Sequence, residues 1–135
     1  MTISSEYQSL IDLANEVRQY AYVPYSNYRV GAALRTKSGR IFTGVNVENA
    51  AYPTTMCAER IAIFKAVSEG EREFEAIVVV TDNGGSPCGS CRQVLAEFGL
   101  DTVVLIADGN GTFLKEMTVS ELLPEAFTPV HLGKK

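Results

Sequence analysis

"EAIVVVTDNGGSPCGSCRQVLAEFGL", Glu75 to Leu100, reads as a strand that runs into a helix with two cysteines at its start. The β-branched run in "EAIVVVTD" suits a strand, while "PCGSCRQVLAEFGL" is rich in helix formers and ends at Gly99, a residue suited to a left-handed cap. An earlier joint repeats the design: "GRIFTGVNV" is a strand candidate, and "CAERIAIFKAVSEG" after it opens on Cys57 and closes on Gly70. "NYRVGAALRT" and "DTVVLIAD" are two more strand candidates, and Gly39 in "TKSGR" supplies a hairpin turn. Ahead of them, Tyr7, Leu10, Ile11, Ala14, Val17 and Ala21 recur at three- and four-residue steps, an amphipathic helix over 5–21 that Pro24 ends. "DGNG" is a turn, "TVSELLPEAF" a short helix with Ser120 as its N-cap, and "HLGKK" a polar tail. Strands alternating with helices predict an α/β fold, a three-layer α/β/α sandwich with a mixed central sheet of about five strands, with residues 1–135 as a single domain.

Composition narrows the function. A chain of 135 residues with 46% hydrophobic content and a net charge of -4 can bury a real core. It has no apolar run of about 18 residues, and "MTISSEYQSL" lacks a basic stretch followed by an apolar one, so a cytoplasmic location without membrane contact is expected. Scattered lysines and arginines on an acidic chain give no phosphate-tracking footprint, which disfavours a nucleic-acid partner and points to a small-molecule substrate. Three cysteines cannot all pair within one chain, so metal or nucleophile chemistry is favoured over a disulfide framework.

Cys88 and Cys91, at i and i+3, share one face of their helix, and its positive N-terminal end favours the thiolates that bind metal. Cys57 holds the like position on the other helix, so the two helix starts can point at one site. Zinc suits such soft ligands, and a catalytic site uses three protein ligands with the fourth position left to water. A closed structural site would need a fourth ligand, for which His131 in the tail is the sole histidine. A redox pair would use Cys88 and Cys91 and leave Cys57 without a role, and inert buried cysteines would leave the two helix starts unexplained. Glu59, two residues after Cys57, could accept and return a proton beside the metal, or simply complement the helix dipole. Arg60 could offset the thiolate charge by hydrogen-bonding sulfur, or be a solvated cation; Arg92 carries the same two readings.

"CAE" at 57–59 followed by "PCGSC" at 87–91 resembles the zinc deaminase signature in its three-cysteine form. "PYSNYRVGAAL", "GVNVENAAY", "CAER", "SPCGSCRQVL" and "ELLPEAF" resemble, in order and spacing, the small cytidine deaminases that act on free nucleosides, over about Pro24 to Phe127. The resemblance implies Cys57, Cys88 and Cys91 as ligands of one zinc ion per chain and Glu59 as the proton shuttle. It implies Asn46 and Glu48 as the pair that hydrogen-bonds the ribose, and Ala58 as a backbone contact to substrate near the metal. Tyr28 stands where the family usually has phenylalanine stacked on the pyrimidine; tyrosine keeps that π face, but its hydroxyl must find a partner. Phe127 matches an aromatic that reaches a neighbouring subunit's site, and Tyr52 lies in a segment used across subunits, so a homotetramer with shared sites is implied. The implied reaction is hydrolytic deamination of cytidine and deoxycytidine to uridine and deoxyuridine with release of ammonia, a pyrimidine-salvage step. In it, water attacks ring C4 while Glu59 takes its proton and returns protons to N3 and the leaving amine. The alternatives are a blasticidin-type deaminase of a cytosine-containing antibiotic or modified nucleoside, and a non-catalytic zinc-stabilised interaction domain.

Overall fold

A computed structural model describes residues 3–134. At its centre lies β3 (Phe74–Val80), the apolar run of the opening stretch, buried along nearly its whole length as a strand covered on both faces must be. It pairs antiparallel with β1 (Gly31–Thr36) and parallel with β4 (Val103–Ala107). Outside these, β2 (Ile41–Val45) pairs antiparallel with β1, and β5 (Phe113–Thr118) antiparallel with β4. The order β2-β1-β3-β4-β5 is thus a mixed five-stranded sheet, as the alternation of elements predicts. Gly39, at φ 94°, makes the turn between β1 and β2.

Helices cover both faces. The helix α1 (Ser5–Val17) is capped by Ser4, whose hydroxyl accepts from the Tyr7 N–H, and lays Leu10, Ile11 and Ala14 against Ala33, Val78, Val80 and Leu105. The helices α2 (Ala58–Ser68) and α3 (Gly89–Phe98) cover the opposite face, where Ala62, Ile63, Ala66 and Leu95 meet Leu34, Phe42, Ile77 and Ile106. Burying each leucine or isoleucine here contributes about 1.5–3 kcal/mol, so the two cores fix both helix layers on the sheet. Among the described residues, no helix is long and apolar enough to cross a membrane.

Four local readings need correction. The first helix stops at Val17 and tightens into a 3-10 turn over Arg18–Tyr20 instead of reaching Ala21, because the chain must extend for Tyr22 to exchange backbone hydrogen bonds with Asn46 and Glu48. Thr118, not Ser120, caps the short helix α4 (Val119–Leu122): its hydroxyl accepts from the Glu121 N–H while the Glu121 carboxylate accepts from the Thr118 N–H. Gly99 ends α3 at φ 155°, ψ 122°, outside the left-handed helical region. The tail folds into a 3-10 turn, Pro129–Leu132, on which the His131 ring stacks against Phe127 at 5.5 Å. The fifth strand, β5, comes from "FLKEMT", whose polar content hides it; it is an edge strand with three exposed residues in a row.

One contact sets how α2 sits. A Cβ on Gly44 of β2 would lie 2.3 Å from the Ala58 carbonyl oxygen and 2.8 Å from the Ala62 nitrogen. The first turns of α2 therefore rest directly on the β2 backbone, and only glycine admits that approach. Gly44→Ala is expected to push α2 outward and cost about 1–3 kcal/mol, the usual range for overpacking; a urea midpoint lowered at unchanged slope checks it.

Candidate metal centre and pocket

Two strand-to-helix joints deliver the site. Cys57 is the N-cap of α2 and Cys88 the N-cap of α3; both are extended there, and neither helix has a side-chain cap bond at that end. The free first-turn N–H groups and positive dipole ends thus face the sulfurs. Cys91, one turn into α3, is wholly buried, Cys57 is half-buried and Cys88 is exposed; none is in a disulfide. Their Sγ atoms all lie within 4.8 Å of one another, with Cys88 3.5 Å from Cys91 and 3.9 Å from Cys57. A tetrahedral ion with metal–sulfur bonds of about 2.3 Å sets its sulfurs about 3.8 Å apart, so the spacing fits a zinc ion held by these three cysteines.

The thiols share their protons unevenly, and one of them is favoured as thiolate. Hydrogen bonding from the Cys91 thiol, then from Arg60, pulls the Cys57 thiol down to about 5. Cys91, donating to Cys57 and buried, is pushed up. Arg60 Nη2 donates to Cys57 Sγ at 3.3 Å, and its buried Nε has no hydrogen-bond partner, so the guanidinium is a charge partner of the sulfurs and not a solvated cation. Glu59 is only 4% exposed, and burial pushes its carboxyl up to about 7. A carboxyl with that affinity both takes and releases protons near neutrality.

Next to the sulfurs lies a cavity of about 280 Å³, close to the lower end of the range for small-ligand sites. Tyr28, Asn46, Glu48, Cys57, Ala58 and Glu59 line it, with Cys88 at its rim. Asn46 Oδ1 accepts from the Val30 N–H at 2.9 Å and its Nδ2 donates to the Tyr28 carbonyl at 2.8 Å, which leaves one amide hydrogen and one lone pair for other use. Glu48 Oε1 accepts from the N–H groups of Tyr25 and Ser26, and Oε2 from the Ser26 hydroxyl, which holds the carboxyl below its ordinary value. Tyr52, 68% exposed, lies in an adjoining depression of about 410 Å³ that shares Ser26, Glu48 and Thr55 with the first. Phe127, 56% exposed, lies outside the cavity.

The hydroxyl of Tyr28 donates to Asn83 Oδ1 at 2.7 Å. That bond ties the pocket wall to the 81–88 loop, whose Gly85 N–H in turn donates to Thr81 Oγ1 at 2.7 Å. Thr81, Asn83 and Gly85 were not among the residues picked out in the sequence; the loop's glycines and its place ahead of Cys88 were the available signal.

Residues 4–107 match the family described as the cytidine and deoxycytidylate deaminase zinc-binding region. The chain is 53% identical to a cytidine deaminase of Halalkalibacterium halodurans over 124 residues, which span 90% of this chain and 93% of that protein. It is 48% identical to one from Sporosarcina psychrophila over 130 residues, 95% of this chain and 96% of that protein. The crystal structure of a cytidine deaminase from Burkholderia pseudomallei superposes with a TM-score of 0.85 at 43% identity, covering 93% of this chain and all of that one.

A Cβ on Gly85 would fall 2.6 Å from the Tyr28 hydroxyl oxygen but 3.8 Å from the ring carbon that bears it. Gly85 also has no positive φ that would itself demand glycine. Gly85→Ala alone is therefore expected to destabilise by about 1–3 kcal/mol, and most of that loss should vanish when Tyr28→Phe is added. Denaturation of the four proteins of this double-mutant cycle reads the coupling; additive effects would mean that the hydroxyl does not fill that space.

Proposed function

The chain belongs to the zinc-binding cytidine and deoxycytidylate deaminase family, and from that premise we propose that its cavity binds cytidine or deoxycytidine and converts it to uridine or deoxyuridine with release of ammonia. The reaction is hydrolytic: at ring C4 a carbon–oxygen bond to water forms and the carbon–nitrogen bond to the amine breaks. Cys57, Cys88 and Cys91 would hold the zinc ion, which when bound would polarise water and lower its pKa toward neutrality. Glu59 takes a proton from the attacking water, delivers one to ring N3 and then protonates the leaving amine. Burial of its carboxyl beside the three sulfurs, with an affinity poised at about 7, is the observation that carries this reading. Arg60 balances the negative sulfurs.

Substrate selection follows from the rest of the wall. Asn46 and Glu48 offer an amide and an ionised carboxylate to the sugar hydroxyls, which favours a nucleoside over the free base. Tyr28 presents its ring face to the pyrimidine while Asn83 occupies its hydroxyl, and Ala58, fully buried at the cavity wall, contributes backbone polar groups. The exposure of Phe127 and Tyr52 supports a homotetramer in which these side chains reach a neighbour's cavity. A cytoplasmic enzyme of pyrimidine salvage is the role these features suit, with residues 1–135 acting as one domain.

Glu59→Gln should keep fold and zinc while turnover of cytidine, followed by ultraviolet absorbance, falls by about 10²–10⁴-fold; near-normal turnover would reject the mechanism. A sedimentation mass four times that of the 14.7 kDa chain is expected. Co-refolding Glu59→Gln with Phe127→Ala should then produce more activity than either variant alone, because hybrid assemblies contain sites with both residues intact. A monomer, or no recovery on mixing, would refute the shared site.

A further inference from the structure

Two of the three sulfurs are held by their surroundings. Cys91 is buried inside α3, and Cys57 is half-buried against Arg60, but Cys88 is exposed, so its position depends on the loop that delivers it. That loop ends in Ser86-Pro87-Cys88, and proline has no N–H with which to anchor it. The proline carbonyl and the serine hydroxyl are both open to a side chain, and one side chain takes both. Arg92, next to Cys91 on α3, donates from Nε to the Pro87 carbonyl at 2.8 Å and from Nη2 to Ser86 Oγ at 3.0 Å. Its Nη1 donates to the carbonyl of Leu122, the last residue of α4, at 2.8 Å. A solvated arginine on a helix surface would leave these nitrogens to water. Here all three nitrogens are committed, to two separate segments, in the planar fan that only a guanidinium provides.

We propose that Arg92 is a positioning residue for the zinc centre: it locks the peptide ahead of Cys88 so that its sulfur stays in place beside the other two, and it braces that peptide against the end of α4. The C-terminal segment thereby bears on how tightly the metal is held. The neighbouring Gln93 also touches that segment, donating from Nε2 to the Phe127 carbonyl at 2.8 Å, but makes no bond to the Cys88 loop. It is the natural control. The proposal rests on the reading of the three sulfurs as a zinc site, and the experiment separates the two.

Zinc-loaded wild type, Arg92→Ala, Arg92→Lys and Gln93→Ala are compared for zinc retained against a chromogenic chelator. The cobalt-substituted proteins are compared for the thiolate-to-metal charge-transfer band. Arg92→Ala should release zinc at about 10–100-fold lower chelator concentration and show a weakened or shifted band, with its far-UV circular dichroism unchanged when metal-saturated. Arg92→Lys should fall between, since one ammonium cannot serve all three acceptors, and Gln93→Ala should match wild type. Retention by Arg92→Ala equal to wild type overturns the proposal, as does equal loosening in Gln93→Ala. If Arg92→Ala does not fold, Arg92→Lys decides by the same comparison. A wild-type chain that takes up no zinc overturns instead the metal-site reading beneath the proposal.

Discussion

Everything at the site depends on two helices beginning at the same place. α2 follows β2 and α3 follows β3, and both lie on the same face of the sheet, so their N-termini converge although their cysteines are 31 residues apart. A cysteine at each N-cap puts sulfur where the unpaired first-turn N–H groups give a positive field. The contact of Gly44 with the first turns of α2 sets how closely that helix lies on the sheet.

The polar groups of the cavity are also structural. Asn46 bridges the backbone of Tyr28 and Val30, and Glu48 gathers the N–H groups of Tyr25 and Ser26, so each presents its remaining donors and acceptors in a fixed direction. Such preorganisation lowers the entropy lost when a ligand is bound. Glu59 is the exception. It is held by burial more than by partners, and burial raises its carboxyl to about 7.

Much of this could be read from the chain before any coordinates. The run "EAIVVV" and the periodic stripe from Tyr7 to Val17 announced β3 and α1, because burial on two faces or on one leaves an unmistakable pattern. Spacing alone brought Cys88 and Cys91 together, and the repeated joint suggested Cys57. What remained hidden was decided by contacts distant in sequence. β5 is polar because it is an edge strand, α1 ends early because Tyr22 is claimed by Asn46 and Glu48, and Arg92 and Asn83 gain their partners only through the folded loop. Composition is equally silent on whether an arginine ends in water or on a sulfur; for Arg60 the packing decided.

The strand order carries a consequence for how the protein matures. β3 is third in the chain yet central in the sheet, inserted between β1 and β4, whereas the β1-β2 hairpin closes from near neighbours. Local pairing outruns the crossover that brings β4 parallel to β3. Without the β1–β3 pairing only Cys88 and Cys91 are kept close, by their spacing on one helix, and Cys57 is remote. Only the native topology presents three sulfurs at once, so binding an ion with all three is tied to completion of the fold, and the binding energy adds to the stability of the native chain.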